Sequence, residues 1–318
     1  VECLLILNDF SEGALDKLKE HIAPLQAEIA QNIPRLHLRI EYLNESFEDA
    51  YPAIKVILEN GRFRNVLFNL DQCGHSKVAR ETLIDIMKSY PSVEIFYTFS
   101  ISSLLTYLQT HNPSKLASQL QPFGILPNDI ESLDFGIKKN HWLGAAERLV
   151  FDTFRTCANF VSPFSINNPD GWRYWLIHFA NAHRARQVYN NVLHENSSEQ
   201  AHFGRSGLNM LSYDPRHEEG ALYLFDVSGR EMAKSQLMED IPRLVSESGD
   251  VVGISEFYGG IYNATPAHSE DIHQAIIDNP DLEVLTPSGG ERRKANTISI
   301  GDTLKLRRQT SFYPLFGP

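Results

Sequence analysis

The sequence predicts an α/β fold: a mostly parallel sheet covered by helices over residues 1–205, followed by a smaller helical domain with a β-hairpin over residues 206–318. Three observations predict it. Short apolar runs ending in polar tips alternate four times with stretches of helical periodicity in the first 109 residues. Two apolar runs face each other across Asn167-Asn-Pro-Asp-Gly171, which predicts an antiparallel hairpin closing the sheet. Beyond residue 231, three helical stretches precede two short strands joined by a Gly-Gly turn.

Residues 2–7 form an apolar run closed by Asn8 and Asp9, after which Leu15, Leu18, Ile22 and Leu25 recur at helical spacing up to residue 28. Alternation over 36–43 predicts a second strand ending in Asn44, Glu45 and Ser46, with a helix over 50–58. The third strand, 66–70, ends in Asp71, Gln72, Cys73 and Gly74 before a helix over 78–87, and a fourth, 93–99, precedes a helix over 101–109. Repeated βα units give parallel strands joined by right-handed crossovers, and ligands bind such sheets at the carboxyl edge. The three polar tips fall on that edge. Residues 115–140, with Pro122, Gly124 and Pro127, read as an irregular insertion. A helix over 145–156 leads to strands at 157–166 and 172–179, a helix over 184–194 and a polar connection over 195–215. Helices are then expected over 232–245, 254–263 and 269–279, the last capped by Ser269, with strands at 282–286 and 297–300. Three helices followed by a β-hairpin is the winged-helix pattern.

A length of 318 residues exceeds what a single core usually fills, which supports two domains. With 42% apolar and 22% charged residues the composition is that of an ordinary globular protein, and no run of about 18 apolar residues is present to span a bilayer. Cys3, Cys73 and Cys157 form no CxxC pair, which argues against a disulfide framework or structural zinc and points to a reducing, cytoplasmic setting. The sequence opens at Val1 on a core-like run, so its true beginning is expected to lie further upstream. A net charge of −11 repels nucleic acid in bulk, so any such contact needs a local basic patch. His178, His183, His194 and His202 lack HxH or HExxH spacing and predict no metal site; His178, on a strand, reads as a packed or hydrogen-bonded residue. Trp172, Tyr174 and Trp175 read as core and edge aromatics.

In this order and spacing the residues resemble the three-Cys-motif partner protein family, methyltransferase-like proteins with a C-terminal winged helix, over nearly the whole chain. The resemblance rests on residues 7–15, on 65–74 (a strand that family members end in Asp-Pro-aromatic-Gly), on 174–183 and on 280–308 as the wing. It implies a Rossmann-like class I methyltransferase sheet with an antiparallel terminal hairpin, S-adenosylmethionine as cofactor, and a three-Cys-motif protein as partner. It also implies that the sequence starts after the opening strand and the Gly-rich turn that holds the methionine part of the cofactor.

The strand tips carry the candidate chemistry. Asn8 and Asp9 stand where the resemblance places an acid for the ribose hydroxyls; a carboxylate offers two acceptor oxygens to a diol, and a turn capping the next helix is the alternative. Asn44 and Ser46 are candidates for the adenine edge and Phe47 for packing on the purine, with turn roles equally open. Amino-methyltransferases acting on a base use an Asp/Asn-Pro-Pro-aromatic tip whose oxygens accept the amine hydrogens and whose ring stacks on the extruded base. Here the tip is Asp71-Gln72-Cys73-Gly74, which keeps the acceptor and lacks the proline and the ring. Gln72 and His75 complete the candidate catalytic set, His75 as a general base or phosphate contact. Cys73 is a nucleophile candidate of lower rank, because Gln72 stands where cytosine C5 enzymes carry proline.

In the wing, Arg292, Arg293, Lys294, Lys305, Arg307 and Arg308 concentrate positive charge that suits the phosphates of DNA or RNA. The helix over 269–279 carries Glu270, Asp271 and Asp278 and offers little to a major groove, so a protein-binding winged helix stays open. Two functions are therefore expected: an S-adenosylmethionine-dependent methyltransferase acting on nucleic acid, or a non-catalytic partner or adaptor on a degenerate methyltransferase scaffold.

Overall fold

The computed structural model describes residues 1–72, 77–108, 120–125, 139–167, 173–196, 201–203 and 222–307. It is a mixed α/β structure with parallel and antiparallel strands. β1 (Glu2–Asn8) and β2 (His37–Leu43) pair in parallel, Glu2 opposite His37 and Asn8 opposite Leu43, through the crossover helix α1 (Glu12–Asn32). Helix α2 (Phe47–Asn60) leads to β3 (Asn65–Leu70), and α3 (Arg80–Ser89) leads to β4 (Ser92–Phe99), parallel to β3. After α4 (Ile101–Leu108) and α5 (Lys139–Arg155) come β5 (Phe160–Asn167) and β6 (Arg173–Ala180), an antiparallel pair in which β6 lies between β4 and β5. Helix α6 (His183–Glu195) follows, and short strands β7 (Ala201–Phe203) and β8 (Leu222–Leu224) extend the sheet to the order β3-β4-β6-β5-β7-β8.

One mostly parallel sheet was the expectation for the first 205 residues; among the described residues β1 to β8 form two sheets, and the six-stranded one contains a single parallel pair. The reason lies at one seam. β1 and β3 are not hydrogen-bonded to each other, so β1–β2 stands as a separate two-stranded sheet. The expected boundary at 205/206 falls outside the described residues, and β8, beyond it, still belongs to the six-stranded sheet.

Alternation in β4 shows how the sequence sorts the two faces. Val93, Ile95, Tyr97 and Phe99 are buried against α2 to α5, while Glu94, Phe96 and Thr98 point to the face on which Tyr189 of α6 packs. Phe99, Phe123, Phe154 and Trp175 meet ring to ring in that first core, as expected of Trp175; Trp172 lies outside the described residues.

A second core joins α7 (Val227–Glu247), α8 (Ile254–Ala264) and α9 (Ser269–Asp278) to a three-stranded sheet of order β10-β11-β9. Its strands are β9 (Val251–Gly253), β10 (Leu282–Leu285) and β11 (Thr303–Leu306). Helix α7 begins five residues before the expected start because the Asp226 carboxylate caps it, accepting the Gly229 N–H at 2.7 Å. α9 is capped by His268 rather than Ser269, the His268 Nδ1 accepting from the Glu270 N–H. The strand expected at 297–300 is displaced to Thr303–Leu306. Ala295–Thr297 is a 3₁₀ turn and Ile300 is 50% exposed, whereas Leu304 is the side chain that reaches the core, opposite Val284.

Helix α6 ties the second core to the six-stranded sheet, packing on that sheet through Tyr189. Arg186 Nε donates to the Tyr262 carbonyl at 3.0 Å, Asn190 Nδ2 to that of Thr265 at 3.0 Å, and His194 Nε2 lies 3.1 Å from that of Pro266. Among the described residues no helix is long and apolar enough to cross a membrane.

Candidate functional site

The first turn of α2 fixes how β1 and β3 lie. Glu48 accepts the Ala79 N–H at 2.7 Å and the Thr82 hydroxyl at 2.7 Å, both beyond β3, while Asn8 at the end of β1 donates to the Glu45 carbonyl at 3.1 Å. The end of β1 and the segment that follows β3 therefore both reach the amino end of α2. Between β1 and β3 lies a slot of about 690 Å³. Ile54 and Leu58 of α2 and Phe63 form its floor, and its carboxyl end is bordered by Asn8, Asp9, Ser46, Phe47, Asp71 and Gln72.

Six of the expected site residues thus share one cavity, although several are already engaged. The Asp9 carboxylate accepts the Ser11 N–H at 2.7 Å, which fixes the turn into α1 and leaves further lone pairs on its two oxygens. Asn44 does not line the slot; its Nδ2 donates to the carbonyls of Asp9 at 2.8 Å and Phe10 at 3.2 Å, stapling the β1 and β2 tips together. Ser46 is the N-cap of α2: its hydroxyl accepts from the Asp49 N–H at 3.3 Å and donates to the Asp49 carboxylate at 2.5 Å. Phe47 packs on Tyr51 and Phe68, with ring centroids 5.9 and 6.3 Å away, and is part of the core beneath the slot.

At the third tip the two neighbours diverge. Asp71 is exposed to the cavity. Gln72 is buried and its Oε1 accepts the Lys77 N–H at 2.9 Å, so it closes the loop after β3 from inside. Cys73 and His75 lie outside the described residues. Lys77, which also borders the cavity, was not picked out from the sequence; being the first cation after the Asp71 tip was its only signal.

A polar brace beside the site was also missed. The Tyr51 hydroxyl donates to Asp85 at 2.6 Å and Lys55 Nζ lies 2.8 Å from the same carboxylate, tying α2 to α3. The Lys55 and Tyr51 hydrogen bonds hold the Asp85 carboxyl below its ordinary value.

For S-adenosylmethionine the lining suits the nucleoside half. Asp9 supplies acceptor oxygens for a diol, and Phe47, Leu70 and Val78 supply apolar surface for a base. No glycine lines the cavity among the described residues, so nothing there matches a Gly-rich turn for the methionine half.

The basic segment over 292–307 is less cationic in space than in sequence. Arg292 makes two bonds to the buried Asp302 carboxylate, at 2.9 and 3.1 Å. Lys305 pairs with Glu283 at 3.1 Å, and Arg307 pairs with Glu291 and lies 3.9 Å from Glu283. Arg293 and Lys294 are exposed and border a groove of about 580 Å³ that Arg230, Glu270, Asp271 and Asp278 also line. Arg308 lies outside the described residues. Among the described residues no group of three or more His, Cys, Asp or Glu is placed to hold a metal ion. His178 is buried and hydrogen-bonded to Glu94, as expected of a packed strand histidine. Nothing matches this chain in comparisons with models of protein families, with curated proteins or with solved structures.

Proposed function

We propose that the chain is an S-adenosylmethionine-dependent methyltransferase of Rossmann-like, class I type with a C-terminal winged helix, acting on a nucleic-acid acceptor. The observation that carries this reading is the convergence of three successive strand tips, at Asp9, Ser46–Phe47 and Asp71, on one cavity at the carboxyl edge of the strands. Strand order adds support, since antiparallel β6 is inserted between β4 and β5. In this reading Asp9 accepts the ribose hydroxyls, while Phe47 and Val78 present apolar surface to the adenine. Exposed Asp71 accepts hydrogens of the acceptor amine and so turns its lone pair towards the cavity. The bound cofactor supplies an electrophilic methyl group. Calorimetric titration with S-adenosylmethionine and S-adenosylhomocysteine tests the reading, with Asp9→Asn as the informative variant. Asparagine preserves the acceptor for the Ser11 N–H and removes the charge, so the expected loss of affinity is tenfold or more with an unchanged unfolding midpoint. Absence of binding by the unaltered chain overturns the proposal.

A second reading, a non-catalytic adaptor working with a three-Cys-motif protein, is favoured by a different observation. Arg292, Lys305 and Arg307 spend their charge on carboxylates of the same domain, which leaves Arg293 and Lys294 as the candidate phosphate contacts among the described wing cations. Reversing these two to glutamate flattens the salt dependence of nucleic-acid binding if the first reading holds. An unchanged slope favours the adaptor.

A further inference from the structure

Side chains of two elements close the amino end of α9. The first N–H groups of an α-helix have no partner within the helix, and here each finds an acceptor. The Ser269 N–H donates to Asn191 Oδ1 of α6 at 3.0 Å, the Glu270 N–H to His268 Nδ1 at 3.2 Å, and the Asp271 N–H to the His268 carbonyl at 3.0 Å. Asn191 also donates through Nδ2 to the Ser269 hydroxyl at 2.9 Å. Histidine is an unusual cap, because Ser, Thr, Asp and Asn lead at this position. It can accept only while a ring nitrogen is bare. The neutral ring with its proton on Nε2 offers Nδ1, whereas the imidazolium has two donors and no acceptor.

A protonated Nδ1 has a second partner within reach, on the same residue that supplies the first. The Glu270 carboxylate lies 3.8 Å from His268 Nδ1 and 3.9 Å from a terminal nitrogen of Arg230, and both Glu270 and Arg230 line the groove that Arg293 and Lys294 border. The main-chain N–H of Glu270 needs the lone pair of Nδ1 and its carboxylate needs the proton, so one nitrogen serves only one of them at a time. Among the described residues, His194 and Glu195 of α6, Arg230 of α7, and Glu270, Asp271 and His273 of α9 face the His268 ring. Asp271 is itself engaged by Arg230 at 2.5 Å and Lys234 at 3.2 Å. Burial and then Arg230 hold the imidazole below its ordinary value of 6.5, against the pull of the three carboxylates. The cap is therefore fully present above 6.5 and is lost as the pH falls through the lower, folded-state value.

We propose that His268 is a proton-operated latch on α9: the neutral ring caps the helix, and on protonation Nδ1 leaves the Glu270 N–H for the Glu270 carboxylate, loosening the first turn and drawing that carboxylate from Arg230 at the groove. Nδ1 takes its proton from solvent, and no other group gains or loses one. Asn191 does not titrate, so Ser269 stays fastened to α6 and the loosening is confined to the turn that follows. The latch does not rest on the methyl-transfer reading and holds whatever ligand the strand tips bind.

Nitrogen NMR of the His268 ring and amide exchange over residues 269–278 of the whole chain, followed from pH 7.5 to 4.5, test it. At pH 7.5 Nδ1 is expected to give the signal of an unprotonated nitrogen. On acidification the protection of the Glu270 and Asp271 amides, corrected for the chemical exchange rate at each pH, is expected to fall about fivefold, the worth of a lost N-cap, with the same midpoint as the ring. Protection over residues 275–278 is expected to hold. His268→Asn, which caps without titrating, is expected to abolish the fall. Glu270→Gln, which keeps the N–H and removes the carboxylate, is expected to move the midpoint of the ring to lower pH. A protonated Nδ1 at pH 7.5, protection that does not follow the ring, the same fall in His268→Asn, or an unmoved midpoint in Glu270→Gln each overturns the proposal.

Discussion

The Nε2 of His178, on β6, lies 2.9 Å from a carboxylate oxygen of Glu94 on the neighbouring β4, the ring fully buried and the carboxylate reaching solvent. Burial holds the imidazole below its ordinary value of 6.5, with the Glu94 hydrogen bond opposing, while that same bond holds Glu94 below its ordinary value. A neutral ring donating through Nε2 satisfies both. The unfolded chain takes up a proton near pH 6.5 that folded His178 refuses, so stability falls as the pH drops below 6.5. Glu94 acts in a separate window: its contribution is present above 4.5 and is lost only below it. His194, pushed down to about 4 by burial, adds to the first slope. Urea unfolding at pH 7.5, 6 and 5 is expected to show a falling midpoint. His178→Phe, which keeps the stack on Phe96 and Tyr189, is expected to remove part of the slope and to change stability at pH 7.5 by about 1 kcal/mol or less.

Arg292 and Asp302 anchor the segment between β10 and β11. Burial opposes ionisation of Asp302, yet the two Arg292 bonds and the Ser299 N–H at 2.8 Å hold its carboxyl below the ordinary value. Arg292→Ala leaves that carboxylate buried without its counter-ion and is expected to cost about 3 kcal/mol of unfolding free energy. Removing both partners in Arg292→Ala/Asp302→Ala is expected to recover part of the loss. A chemical denaturation series over the three variants reads this directly.

Neighbouring positions in β3 are expected to respond oppositely. Phe68 is buried against Phe47, Tyr51 and Tyr90, and Phe68→Ala is expected to cost about 3–5 kcal/mol. Leu67→Lys, one residue away, is expected to change the free energy of unfolding by about 0.5 kcal/mol or less in the chain alone.

Arg186 is a buried cation, 1% exposed, whose guanidinium lies 5.6 Å from the Tyr189 ring centroid. Burial pushes its pKa down to about 10. Its Nε bonds the Tyr262 carbonyl, but one terminal nitrogen is buried without a hydrogen-bond partner among the described residues. Arg186→Met, similar in length and uncharged, is expected to be neutral or to raise the thermal midpoint; Arg186→Ala, which opens a cavity, is expected to lower it.

Elements with strong periodicity were legible in the sequence, and their burial shows why. Val93 to Phe99 alternate so regularly that strand and inward face follow from the residues alone. The displaced strand near the C-terminus marks the limit: Ile298 and Ile300 imitate alternation, and the decision is made by Asp302, whose carboxylate is fixed from Arg292 ten residues earlier. At the site, the tips of β1, β2 and β3 were found because polar residues ending apolar runs carry a clear signal. Which side chains stay available was not legible. Asn44 spends its amide on carbonyls that only the fold brings close, while Ser46 and Gln72 bond backbone N–H groups three and five residues on, a turn role that residue type alone left open beside the ligand role.

Helix α6 has a thermodynamic consequence. Tyr189 packs on the sheet through Phe96 and His178, while Arg186, Asn190 and His194 hold carbonyls of residues 262–266 on the opposite side. Neither set of contacts outlasts the other, because both require the same helix to be formed and in place. The amino- and carboxyl-terminal parts are therefore expected to melt together, in a single calorimetric transition, with each part depending on the other for a share of its own stability.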